Sequence, residues 1–256
     1  MLIQPMRRSA ILAVFAVSTA ILGCSHRSPL LEPTPEELLT PAPDSFRVVF
    51  QTTRGPFLVV AHRDWAPFGV DRFYFLVTNG YYDDTYFFRV VKGSLAQWGI
   101  SGKPAVNAQW RNRHIADDPV IRSNQRGMLA FARSGPQSRT VQLYVNERDN
   151  ARLDTLGGIG FPPIAQVIKG MNVVDSLYSG YGQGPPRGTG PSQDSIERQG
   201  NAYLRRKFPL LDRVVSARVT EAWGDTLSAS MMLRRQYAPA RRRAGGGDRD
   251  HDGGGR

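Results

Sequence analysis

A chain of 256 residues with 41% hydrophobic residues is long enough for one or two domains and rich enough to bury a core. Its single cysteine excludes an intrachain disulfide, and its four histidines lack metal-ligand spacing. No Gly-x-Ser-x-Gly nucleophile motif or phosphate-binding loop occurs, and a net charge of +11 comes with no nucleic-acid motif. Two accounts of that charge fit equally: attraction to anionic lipid, polysaccharide or acidic polypeptide, or the compositional habit of an arginine-rich proteome.

The first 24 residues read as an export signal. Arg7-Arg8 form a positive start, Ile11 to Leu22 an apolar run too short to span a membrane, and Gly23 precedes Cys24. Residues 25–45 follow with Pro29, Pro33, Pro35, Pro41 and Pro43 among glutamates, a composition expected of an extended tether.

The globular part is expected over 46–225. Phe46 to Thr52 and Phe57 to Ala61 alternate as strands around a Gly55-Pro56 turn. Pro67 to Asn79 is predicted as a helix, with proline in the first turn, Gly80 as its stop, and Val70, Phe73, Leu76 and Val77 on one face. Tyr86 to Val91 is a strand closed by Lys92-Gly93, and it carries a charged residue, Arg89, between Phe88 and Val90. Such an arginine either snorkels or pairs at a sheet edge, or reaches a ligand.

Further strands are expected at Gly127 to Ala132, Val141 to Val145 and Ile164 to Ile168, and a short helix at Gly170 to Ser179. The absence of strand-helix-strand alternation argues against a parallel sheet. Residues 180–195 form a Gly/Pro-rich loop, too poor in apolar residues to order itself and expected to be flexible. Asp194 to Arg206 reads as a helix and Arg213 to Thr220 as a closing strand. The tail over 226–256, with seven arginines against three aspartates from Arg234 onward, is expected to be disordered.

Tyr86-Phe87-Phe88-Arg89-Val90-Val91-Lys92-Gly93 with Gln97 and Gly99 resembles the F-H-R-V-I-x-G-F-x-x-Q-G-G signature of the cyclophilins, the cyclosporin-binding class of peptidyl-prolyl isomerases. The likeness continues in register. Ala66-Pro67, Val70, Phe73, Leu76 and Gly80-Tyr81-Tyr82-Asp83 match upstream; Gly127 to Ala132, Gly135-Pro136, Gln142-Leu143-Tyr144, Leu153-Asp154 and Val167 to Val174 match downstream. Gln199 to Leu204 with Phe208-Pro209 is similar to an extension of secreted bacterial members, and Ile21-Leu22-Gly23-Cys24 to a lipobox, which would make Cys24 a lipidated N-terminus. An incidental cysteine in an ordinary signal peptide is the alternative.

What the resemblance implies is a mainly β fold, a closed eight-stranded antiparallel barrel capped by two helices. It also implies an isomerase without cofactor or metal, acting as a monomer on proline-containing unfolded or extended polypeptides. The place would be the bacterial cell envelope, with lipid as the membrane anchor and no nucleic-acid partner. Arg89 takes the part of the catalytic donor and Gln97 that of the glutamine holding it and the substrate backbone. Leu95, Tyr144, Leu153 and Phe161 fall on the walls of the proline pocket, and Ala132, Arg133 and Gln142 on the peptide groove.

The chain also departs from the pattern. Ser94 replaces a phenylalanine on the pocket floor, Arg152 a tryptophan or phenylalanine beside the cyclosporin site, and Phe161 a histidine; Phe88, Trp98 and Arg133 are further changes. Weak cyclosporin binding is therefore expected. The alternative to an isomerase is a catalytically weakened cyclophilin-fold binding module or holdase at the membrane.

Overall fold

The computed structural model describes residues 27–224, so the expected export signal with Cys24 and the basic tail beyond 224 lie outside the described residues. Eight strands form one antiparallel sheet: β1 (Ser45–Thr52), β2 (Gly55–His62), β3 (Arg89–Val91), β4 (Leu95–Trp98), β5 (Met128–Phe131), β6 (Leu143–Asn146), β7 (Pro163–Lys169) and β8 (Val214–Trp223). Their spatial order is β3-β4-β6-β5-β7-β2-β1-β8, which leaves β3 and β8 as the two ends.

The sheet is curled, and its two ends come together along a seam. At the seam the pairing reduces to one isolated bridge, Tyr86 with Arg213, supported by Phe87 N–H to the Asp212 carbonyl at 2.9 Å and Val214 N–H to the Thr85 carbonyl at 2.8 Å. The physical reason is local. Phe88 N–H bonds the Tyr86 carbonyl two residues back at 2.9 Å, a tight turn that takes it out of the ladder, so the strand expected from Tyr86 begins only at Arg89.

Six α-helices occur among the described residues: α1 (Pro35–Leu39), α2 (Pro67–Thr78), α3 (Pro104–Trp110), α4 (Met171–Asp175), α5 (Gln193–Gln199) and α6 (Asn201–Lys207). The helix expected at Gly170 to Ser179 shrinks to five residues in α4. The one expected at Asp194 to Arg206 is cut in two by Gly200, whose φ of +61° and close approach to the Gly102 carbonyl suit only glycine.

Strand alternation sorts the residues. Val90, Ala96, Trp98, Leu129, Phe131, Leu143 and Val145 point into the main core with Phe46, Phe50, Phe57 and Phe73. Trp98, a departure from the family pattern, therefore faces inward, edge-on to Phe50 at 5.6 Å, and does not touch the outer face. Tyr86 and Phe88 instead join a second cluster with Ile196, Leu204 and Leu211, which fastens α5 and α6 to the outside of the seam.

Residues 27–44, expected as an extended tether, lie on the domain. Thr34 and Glu37 make a reciprocal capping box around α1, Ala42 is fully buried, and the Trp110 indole donates to the Leu30 carbonyl at 2.8 Å.

One buried ion pair ties α2 to the loop beside it. Asp118 accepts from Phe68 N–H at 3.0 Å and Gly69 N–H at 2.9 Å in the first turn of α2, and from Arg139 Nη2 at 2.9 Å. Neither side chain has measurable contact with water beyond 1%. Removing Asp118 leaves the buried Arg139 only the longer ion pair with Asp117 at 3.5 Å and frees two N–H groups of α2, so Asp118→Ala is expected to lower the unfolding free energy by about 3 kcal/mol. Urea unfolding followed by circular dichroism measures it.

Candidate functional site

Arg89 and Gln97 are directly paired residues of the β3–β4 hairpin, and Gln97 is paired in turn with Tyr144 on β6. With their inward neighbours in the core, these three share the outer face, along with Leu95. Position in the sheet, not length of side chain, brings them together.

Arg89 is half-buried. Its Nη1 donates to Gln97 Oε1 at 3.0 Å and its Nη2 to Gln183 Oε1 at 3.0 Å. Because a guanidinium only donates, it fixes the amide of Gln97 with oxygen toward Arg89, which turns the nitrogen away. That nitrogen donates to Gln142 Oε1 at 2.8 Å, and Gln142 Nε2 donates to Gln193 Oε1 at 3.0 Å. A polarised row of amides thus runs from the cation along the outer face. Burial, with the like charge of Arg187 added, pulls the Arg89 pKa below its ordinary value, and the group remains a cation.

The apolar side of the site is anchored by a buried polar knot. Tyr144 is buried, and its hydroxyl donates to Asn124 Oδ1 at 2.8 Å; burial drives the phenol pKa well up, so it stays neutral and donating. Asn124 donates from its side chain to Asp154 Oδ1 at 2.9 Å and to the Phe161 carbonyl at 2.9 Å. Asp154 accepts further bonds from the Asn124 backbone at 2.8 Å and from the Ser123 hydroxyl at 2.6 Å. Phe161 meets the Tyr144 ring edge-on at 5.9 Å, and Leu153 sits next to it in a 3₁₀ turn, Ala151–Asp154.

These parts border one cleft of about 1260 Å³, lined among others by Arg89, Leu95, Gln97, Tyr144, Leu153 and Phe161. Ala132 and Arg133 also line it, and Gln142 lines an adjoining hollow of about 330 Å³ that shares Gln97, Ala132 and Arg133 with the cleft. All the expected site residues within the described part are therefore brought together, while Cys24 lies outside it. The Arg133 side chain is spent elsewhere: it lies over the Phe161 ring at 4.6 Å and donates to the carbonyls of Gly160 at 2.7 Å and Leu156 at 2.6 Å. Ser94 and Arg152 sit on the lining, and the hollow beside Leu95 and Tyr144 stays open.

Residues 180–195 were the part that sequence reasoning left out of the site. Tyr181 meets Phe208 edge-on at 5.0 Å and Ser192 N–H bonds the Tyr203 hydroxyl at 3.3 Å, so the loop is held at both ends and its Gln183 reaches Arg89. Nothing in a Gly/Pro-rich stretch signals that contact. Asn124 was missed as well, being one polar residue in an unpatterned segment.

A family model described as cyclophilin type peptidyl-prolyl cis-trans isomerase/CLD matches residues 47–198. This chain belongs to that family. It is 33% identical over 136 residues to peptidyl-prolyl cis-trans isomerase B of Escherichia coli, covering 51% of this chain and 82% of the relative. It is 32% identical over 142 residues to peptidyl-prolyl cis-trans isomerase A of Dickeya dadantii, covering 53% and 73%. A crystal structure of a cyclophilin type isomerase from Cryptosporidium parvum matches at a TM-score of 0.49 and 16% identity, over 69% of this chain and 98% of that one.

The cyclophilin knot at Asp154 carries a pH dependence. Burial alone would raise its carboxyl pKa, but the bonds from Ser123 and Asn124 outweigh it and hold the value below the ordinary carboxylate range. A depressed folded pKa stabilises above the unfolded value and is lost as pH falls through the folded one. Asp154→Ala is accordingly expected to cost about 2 kcal/mol at neutral pH, with the gap from wild type narrowing below about pH 4, as read from chemical denaturation at several pH values.

Proposed function

We infer that this chain is a peptidyl-prolyl cis-trans isomerase that assists the folding of exported polypeptides at the bacterial cell envelope, taking their proline-containing extended segments into the cleft over Arg89. The observation that carries the reading is a cation whose only partners are neutral amides. Arg89 is held in place by Gln97 and Gln183, and no carboxylate contacts it among the described residues. Its charge is therefore available to a substrate.

Prolyl isomerisation has a barrier of about 18–20 kcal/mol set by amide resonance. In the twisted state the imide nitrogen becomes pyramidal and its lone pair, no longer shared with the carbonyl, localises there as an acceptor. A guanidinium aimed at that nitrogen binds the twisted state more strongly than either planar one. The wall of Leu95, Leu153, Tyr144 and Phe161 supplies apolar surface for the ring, and the amides of Gln97 and Gln142 offer hydrogen bonds to the peptide backbone. Lowering the barrier by about 7 kcal/mol corresponds to about 10⁵-fold in rate.

Two observations favour a second reading, a binding module or holdase with weakened catalysis: the chain's own Gln183 occupies one end of the guanidinium, and Ser94 gives no apolar floor. Exchange broadening in the NMR spectrum of a short Ala-Pro peptide separates the two. Acceleration by wild type, falling by about 10²-fold in Arg89→Ala, is the expected result. No acceleration by wild type decides for the binding module.

The envelope location rests on the export-like segment ending at Cys24, with lipid on that cysteine as the anchor to the periplasmic side or outer membrane. Metabolic labelling with a fatty-acid probe is expected to mark the wild-type chain and not Cys24→Ser; equal labelling of both would rule out the anchor.

A further inference from the structure

The mouth of the cleft is unevenly charged. Besides Arg89, three arginines line it with side chains not committed to the fold's carbonyls: Arg148, Arg152 and Arg187. Arg148 makes one bond, to Asn150 Oδ1 at 3.2 Å. Arg152 and Arg187 are exposed, and neither side chain has a hydrogen-bond or ion-pair partner among the described residues. Two acids, Asp149 and Asp194, line the cleft against five arginines. Asp149 accepts from Arg126 N–H at 2.8 Å, and Asp194 lies 3.8 Å from Arg198 on its own helix.

The placement of these cations matters as much as their number. Arg148 lies between β6 and the 3₁₀ turn and Arg152 within that turn, whereas Arg187 belongs to the loop between α4 and α5, the loop that sends Gln183 to Arg89. They are drawn from two separate segments of the cleft wall. Arg187 is near enough for its charge to be felt at Arg89, which marks the field between them as positive. In a concave site with low-dielectric walls such a field is focused inward.

We propose that this cleft selects proline segments carrying carboxylates beside the X-Pro bond, with Arg152 and Arg187 as the specificity-determining residues. The inference deepens the reading of the cleft as a prolyl-peptide site and rests on it. Arginine suits the task, because its planar fork accepts a carboxylate through two parallel bonds while staying charged. The apolar wall at Leu95 and Leu153 and the amide row at Gln97 favour an extended acidic polypeptide as the source of those carboxylates, in preference to a lipid headgroup or a nucleic acid.

The test uses the full chain and three blocked peptides of one length that differ only beside Ala-Pro: Glu-Ala-Pro-Glu, Gln-Ala-Pro-Gln and Lys-Ala-Pro-Lys. NMR titration gives each Kd and exchange spectroscopy each kcat/KM. The glutamate peptide is expected to bind about fivefold more tightly than the lysine peptide at low salt, with the gap closing near about 1 M NaCl. The double variant Arg152→Glu/Arg187→Glu is expected to invert the order, and both sites being exposed and unpartnered, its unfolding midpoint should stay close to that of wild type. Equal Kd values for the two charged peptides, an order untouched by charge reversal, or no binding of any peptide would overturn the proposal. Charge-ordered binding without acceleration of the glutamine peptide would instead uphold it and remove only the catalytic reading.

Discussion

A guanidinium placed in the short strand β3 must be given acceptors or water, and this fold gives it amide oxygens. Gln97 Oε1 and Gln183 Oε1 each accept at 3.0 Å. Had a carboxylate taken either position, the pair would neutralise itself and the site would hold no free charge to offer a twisting imide. Neutral acceptors position the cation without cancelling it. The same choice propagates outward, since an amide that accepts at one end donates at the other, and Gln97, Gln142 and Gln193 are thereby all oriented from Arg89.

The curled sheet makes that arrangement affordable in volume. One face of β3, β4, β5 and β6 fills the core with Val90, Ala96, Trp98, Phe131 and Leu143, so the opposite face of the same strands can be given to the cleft. Two polar anchors secure its margins. The buried Arg139–Asp118 pair holds the first turn of α2, and the Asn124–Asp154 knot holds Tyr144 and Phe161. The first depends on charges kept from water by the packing around them, the second on the buried Asn124 amide whose partners include the partly exposed Asp154, and each is sensitive to the loss of a single partner.

The seam between β3 and β8 gives the molecule its second layer of organisation. With the ladder reduced there to the Tyr86–Arg213 bridge, the aromatic rings of Tyr86 and Phe88 are left outside the main core and are covered by α5, α6 and Leu211. That cover carries the preceding loop with it. Gln183 and Arg187 therefore stand at the cleft because of how the seam is sealed, and the substrate meets a wall built partly from this segment.

Much of the fold was legible in the residues. Alternation announced β1, β2, β6 and β7, the spacing of Val70, Phe73, Leu76 and Val77 announced α2, and the ordered run of motifs placed Arg89, Gln97, Tyr144 and Leu153 at one site. The capping box of Thr34 and Glu37 went unread, because the prolines around it point to extended chain. Local patterns of this kind are set by backbone geometry and by which face is apolar, and a sequence carries both. Whether the sheet closes, where Gly200 divides a helix, and which amide reaches Arg89 were decided by contacts between segments far apart in the chain, Tyr86 with Arg213, Gly102 with Gly200 and Arg89 with Gln183. Those contacts depend on how desolvation and hydrogen bonding balance once the chain is packed, and no window of neighbouring residues contains that balance.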